Sequence, residues 1–130
     1  MTPVELVEKV SSEPKEVSRV RHLLAAALDR WGVPDDDAEV AVLLTSEIVT
    51  NAIRHGEPPV RLHARWTGGG LRIAVDDGGE RGGVGVRSSP DVSWDATGGR
   101  GLHLVEALAH SWGVGGVNGT QVWFELRRTG

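Results

Sequence analysis

Residues 35–56 read DDDAEVAVLLTSEIVTNAIRHG, and this stretch decides the fold. Asp35, Asp36 and Asp37 suit a helix N-terminus, where the backbone dipole favours negative charge. Gly56, followed by Pro58 and Pro59, stops the helix. Along it Leu43, Glu47, Asn51 and His55 recur every fourth residue and share one face. Leu44, Ile48, Ala52 and Ile53 point elsewhere and can pack on a sheet. A carboxylate one turn before a carboxamide suits a hydrated magnesium ion: the amide offers a hard neutral oxygen, and the carboxylate can hold or deprotonate a water or hydroxyl. The same stripe also reads as a solvated polar face or a helix hydrogen-bond pair.

Before this helix, Val17, Val20, Leu24, Ala27, Leu28 and Trp31 recur at spacings of three and four, so a helix runs from Pro14 to Trp31. Gly32 and Pro34 end it. Residues 1–13 read as a loose, variable lead. After the second helix, three segments alternate. Val60, Leu62, Ala64 and Trp66 share a face; so do Leu71, Ile73, Val75 and Asp77; so do Thr120, Val122, Phe124 and Leu126. The opposite faces are mostly polar, which predicts a sheet covered on one side only. A short helix at Leu102–His110 and a strand near Ser111–Val114 complete the pattern. The predicted order is α-α-β-β-loop-α-β-β, an α/β (α+β) two-layer sandwich with helices on one face of a mainly antiparallel, mixed sheet.

Composition bounds the function. The chain has 130 residues, enough for one domain with one core, and no run approaches the roughly 18 apolar residues that cross a membrane. The first residues carry glutamates and no apolar run, unlike a signal peptide. There is no cysteine, which excludes thiolate metal sites and suits a reducing, cytoplasmic setting. The net charge of −4 argues against sequence-independent nucleic-acid binding. Arginine outnumbers lysine by twelve to two, read as coding bias, and the five histidines show no ligand spacing. Trp31, Trp66, Trp112 and Trp123 read as packing residues.

Two further motifs carry chemistry. Asp77 falls on the inward strand face, where a carboxylate is costly unless paired or bound to something. It can accept hydrogen bonds from an exocyclic amine such as that of adenine, with Thr120 supporting it from the same face. It can equally cap a turn with its own backbone before Gly78-Gly79. Gly98-Gly99-Arg100-Gly101 leads into a helix, and such a start exposes backbone N–H groups to an anion. An ordinary glycine-rich loop explains it too. It matches neither a P-loop nor a dinucleotide fingerprint. Residues 80–98, rich in Gly and Ser and carrying Trp94, suit a lid.

Taken together, SEIVTNAIRHG at 46–56, VDDGG at 75–79, GRGLHLV at 99–105 and GTQVWF at 119–124 resemble the ordered motifs of the GHKL, or histidine kinase-like, ATPases. Within that superfamily the chain looks most like the anti-sigma-factor serine/threonine kinases and their small ATP-binding relatives. The resemblance implies a Bergerat-type ATP-binding fold over 14–130, with ATP and Mg2+ as cofactors. It implies Glu47 as general base, Asn51 as magnesium ligand and Asp77 as acceptor of the adenine amine, with Gly79 allowing close approach. It also implies Gly99, Arg100 and Gly101 at the phosphates. Arg19 matches a partner-contact position. Implied partners are a sigma factor and an anti-anti-sigma-type antagonist whose serine receives the γ-phosphate, and a homodimer. The alternative is a nucleotide-gated binding module without phosphotransfer. Three departures bear on turnover more than on binding: position 81 is arginine rather than glycine, no lysine follows Lys15, and the lid at 80–98 is short with no clear helical pattern.

Overall fold

The computed structural model describes residues 2–78, 100–115 and 120–127, and for residues 100–103 the backbone alone. The elements are β1 (Val4–Val10), α1 (Glu16–Trp31), α2 (Asp35–His55), β2 (Val60–Trp66), β3 (Gly70–Asp76), α3 (Arg100–Leu108), β4 (Ser111–Gly115) and β5 (Gln121–Arg127). The five strands lie in the order β1-β2-β3-β5-β4, and every neighbouring pair is antiparallel. The expected sheet was mixed; among the described strands no parallel pair occurs.

Local chemistry sets the helix ends. Gly32 closes α1 in the left-handed conformation, φ 79°, from which its N–H reaches Asp29 O at 3.1 Å. A residue with a Cβ adopts that conformation only at a cost. Val33 N–H donates to Leu28 O at 3.0 Å, completing the cap. The helices cover one face of the sheet. Val20, Leu24 and Leu28 of α1, Leu44, Ile48 and Ala52 of α2 and Val105 of α3 form one buried cluster. Leu62, Ile73, Val75, Val122 and Phe124 of the sheet complete it. The strand alternation read from the sequence therefore holds: this is a two-layer α+β domain.

The outer face is not simply solvated. Trp123, expected to pack, does so there. A Cβ at Gly113 would meet its ring atoms at 2.7–2.9 Å, so only glycine lets the indole lie over β4. The Arg72 guanidinium sits 4.4 Å from the ring centroid. Ala74, between His63 and Trp123 in the register, is buried on this outer side.

The N-terminal lead requires a correction. Residues 4–10 are not loose: they form an edge strand paired with β2 from Val4↔Trp66 to Val10↔Val60. Val4, Leu6 and Val10 turn inward and pack on the core. The glutamates and lysine interleaved among them mask this alternation, and β2 supplies the hydrogen bonds that make it a strand. Arg19 then ties β1 to α1. Its guanidinium donates to Glu8 Oε1 at 2.9 Å, to Lys9 O at 2.9 Å and to both Glu16 carboxylate oxygens at 2.8 Å. Ser11 N–H donates to Glu16 Oε1 at 3.0 Å.

The bonds from Arg19, then that from Ser11, lower the Glu16 carboxyl from 4.5 to about 2. The lowered value means that folding favours the ionised form, so its stabilising effect is complete above about pH 4.5 and fades as pH falls toward 2. In urea melts, wild type should exceed Glu16→Gln in stability at neutral pH, and the gap should close across that acid window. A pH-independent gap would assign the loss to packing instead of charge.

Candidate functional site

The site assembles where the end of α2 meets the end of β3. Asn51 lies on the last two turns of α2 and is only 5% exposed. Its Nδ2 is buried without a hydrogen-bond partner among the described residues. A buried amide N–H2 without an acceptor costs about 1–3 kcal/mol, so a ligand that offers it an acceptor is chemically favoured. Glu47, one turn earlier on the same face, is half-buried and makes no hydrogen bond or ion pair among the described residues. His55 continues the row, half-buried.

Asp77 follows β3 and is 6% exposed. Two backbone bonds hold it: its N–H donates to Thr120 O at 2.8 Å, and Thr120 N–H donates to Asp77 Oδ1 at 3.2 Å. Thr120 thus meets Asp77 through its backbone N–H and C=O. The adjacent Asp76 faces the other way and accepts from Gln121 Nε2 at 2.7 Å. Strand alternation separates the two carboxylates, leaving one for the interior and one for the outer face.

Gly56 was read from the sequence as a helix stop, and the structure gives it a second role. A Cβ there would collide with the Asp77 carboxylate, with Ala52 O at 2.7 Å and with Asp77 Cβ at 2.9 Å. Its φ of −92° is accessible to any residue, so crowding and not backbone conformation requires glycine. Gly78 is similar: its N–H donates to Glu57 O at 2.8 Å, and a Cβ would strike Pro59 Cδ at 2.5 Å. The turn after α2 is thereby pressed against the turn after β3. The signal for Gly56 was its place directly after the Asn51 turn.

The remaining expected residues are placed less fully. Arg100 and Gly101 begin α3. Gly79, Gly99, Arg81 and the lid at 80–98 with Trp94 lie outside the described residues. Arg19 stands apart from α2 and Asp77, in the β1–α1 ion pairs, with its side chain 40% exposed. Thr45, which the sequence did not single out, is fully buried on α2 with its hydroxyl unpartnered among the described residues.

The arrangement offers a buried carboxamide, a half-buried carboxylate one turn away and a second, buried carboxylate across a glycine contact. That donor set fits a hydrated divalent cation at the amide and a polar heterocycle at Asp77.

Comparison with known proteins is consistent with this chemistry. The family model described as the histidine kinase-like ATPase domain matches residues 10–126. Among solved structures, the RsbU and RsbW domains of Rv1364c from Mycobacterium tuberculosis superpose with a TM-score of 0.70 at 23% identity. The match covers 98% of this chain and 32% of that one, so this chain spans about a third of the length of that neighbour. No curated protein sequence matches.

Two substitutions test the site. Asn51→Leu removes an unsatisfied buried amide and should raise the stability of the ligand-free protein by about 1 kcal/mol. It should also abolish magnesium-dependent ligand binding. A lower melting temperature with intact binding would make Asn51 a framework residue. Gly56→Ala should lower stability by about 1–3 kcal/mol, the range for forced overpacking, because the Ala52 carbonyl is backbone and yields little. Unchanged urea unfolding would contradict the close approach.

Proposed function

Because the chain belongs to the histidine kinase-like ATPase domain family, we propose that it binds ATP with magnesium between α2, the end of β3 and the start of α3. The observation that carries this reading is the buried Asn51 side chain one turn from the half-buried carboxylate of Glu47: the metal would take the carboxamide oxygen, and the Nδ2–H2, unpartnered among the described residues, is left for an acceptor such as a phosphate oxygen. In the reading, Asn51 holds the metal, and Asp77 accepts the adenine amine while backbone bonds to Thr120 fix its orientation. Gly79, Gly99 and Gly101 let backbone approach the nucleotide. Arg100 supplies cationic charge to the phosphates in a chain with no lysine beyond Lys15.

The motif resemblance supports a finer reading: a regulatory serine/threonine kinase that phosphorylates a protein antagonist and also binds a sigma factor, acting in the cytoplasm. ATP supplies the phosphoryl group. Glu47 accepts the proton of the attacking serine hydroxyl, as a carboxylate within reach of a metal-held phosphate can. Arg19 is the proposed partner contact. Its guanidinium is engaged by Glu8 and Glu16, so a partner there would bind the ion-pair cluster as a unit. A homodimer belongs to the same proposal. The alternative, a nucleotide-gated binding module, keeps Asn51 and Asp77 in their roles and gives Glu47 none in phosphoryl transfer.

Asp77→Asn should weaken ATP binding, because a carboxylate acceptor becomes a group with fewer acceptor sites. Equal affinity by calorimetry would remove Asp77 from the adenine site. Glu47→Ala should retain nucleotide binding and cut radiolabel transfer to a purified serine-bearing antagonist by about a hundredfold or more. Equal labelling would take Glu47 out of the chemistry. Absence of labelling by wild type, with nucleotide-dependent capture of the antagonist, would favour the binding module.

A further inference from the structure

At the opposite end of β3 lies a cavity of about 370 Å3, lined among others by Arg65, Arg72 and Arg127 with Glu125. Gly70 and Asp77 mark the two ends of this strand, roughly 20 Å apart at the usual rise per residue. The cavity is therefore separate from the candidate nucleotide site, and its chemistry does not depend on ATP binding there. We propose that it is an oxyanion site that takes a doubly charged phosphate group.

Charge is the first argument. The protein carries a net charge of −4, yet three arginines and one glutamate converge here. Arg65 and Arg72 are direct partners in the β2–β3 register, and like charges directly opposed across strands destabilise a sheet. Glu5 faces Arg65 from β1, but its carboxylate is hydrogen-bonded to His63. Arg65 and Arg127 are exposed and have no ion-pair partner among the described residues. Glu125 offsets one charge, so the lining retains an excess matched to a dianion.

Preorganisation is the second. Arg72 is stacked on Trp123 at 4.4 Å, and its Nη1 donates to Glu125 Oε2 at 3.3 Å. Glu125 is itself held by the Ser111 hydroxyl at 3.1 Å. The planar guanidinium is thereby fixed with donors to spare, and a fixed guanidinium loses less freedom on binding a phosphate. Arg65 from β2 and Arg127 from β5 flank it in the next strands, so donors come from several directions, as the oxygens of a phosphate require.

The test uses the full chain labelled with nitrogen-15, with inorganic phosphate titrated at constant ionic strength set by potassium chloride. The arginine Nε–H resonances report the site separately from any phosphate bound near Asn51. Saturable shifts of the Arg72 resonance are expected. Arg65→Gln and Arg127→Gln should each weaken binding by about tenfold, as loss of a charge-assisted hydrogen bond implies. Both residues are exposed, so Arg127→Gln should leave the thermal melt unchanged, and Arg65→Gln should leave it unchanged or raise it slightly by relieving the opposition to Arg72. Linear, non-saturating shifts, or equal affinity in wild type and both variants, would overturn the proposal. So would tighter binding of a short glutamate peptide that displaces phosphate from the same resonances, since the site would then serve a protein carboxylate.

Discussion

The close approach of Gly56 to Asp77 is the constraint on which the candidate site depends. It brings the C-terminal end of a helix directly against the Asp77 side chain at the end of a strand, with nothing from position 56 between them. Asp77 can then be buried beside the helix that carries Asn51 and Glu47. The backbone bonds between Asp77 and Thr120 hold the strand end in place from the β5 side. A methyl group at position 56 would push these elements apart.

That constraint works only because the sheet is covered on one face. The helices bury Leu62, Ile73, Val75 and Phe124 on the inner side, which fixes the strand register and with it the side to which each aspartate points. The outer face is organised by different forces. Trp123 lies over Gly113, Arg72 lies over Trp123, and Glu125 links Arg72 to Ser111. One strand pair thus carries an apolar core on one side and an ordered polar surface on the other. The two candidate binding regions sit at opposite ends of β3.

Buried polar groups set stability against function in this domain. Asn51 and Thr45 are buried on α2 with atoms unpartnered among the described residues. A helix selected for packing alone would carry apolar residues there. An amide at such a position carries a desolvation cost that a ligand with a suitable acceptor would offset. The β1–α1 cluster is the contrasting case. Arg19 and Glu16 satisfy each other, and their chemistry is used in holding an edge strand in place.

The helical and strand periodicities, the one-sided sheet, the shared face of Glu47 and Asn51 and the inward direction of Asp77 are legible in the residues alone. Each of these is a local property, set by the 3.6-residue or two-residue repeat within a single segment. Features that depend on contacts between distant segments emerge only once the chain is folded. Val4–Val10 is a strand because β2 offers it a hydrogen-bonding edge; its interleaved charges hide the alternation when the segment is read alone. Arg19 is a latch because Glu8, 11 positions earlier in the chain, comes within reach at 2.9 Å. Gly56 matters because Asp77 comes back to it from the end of the β2–β3 hairpin, a proximity that no periodicity along the chain encodes.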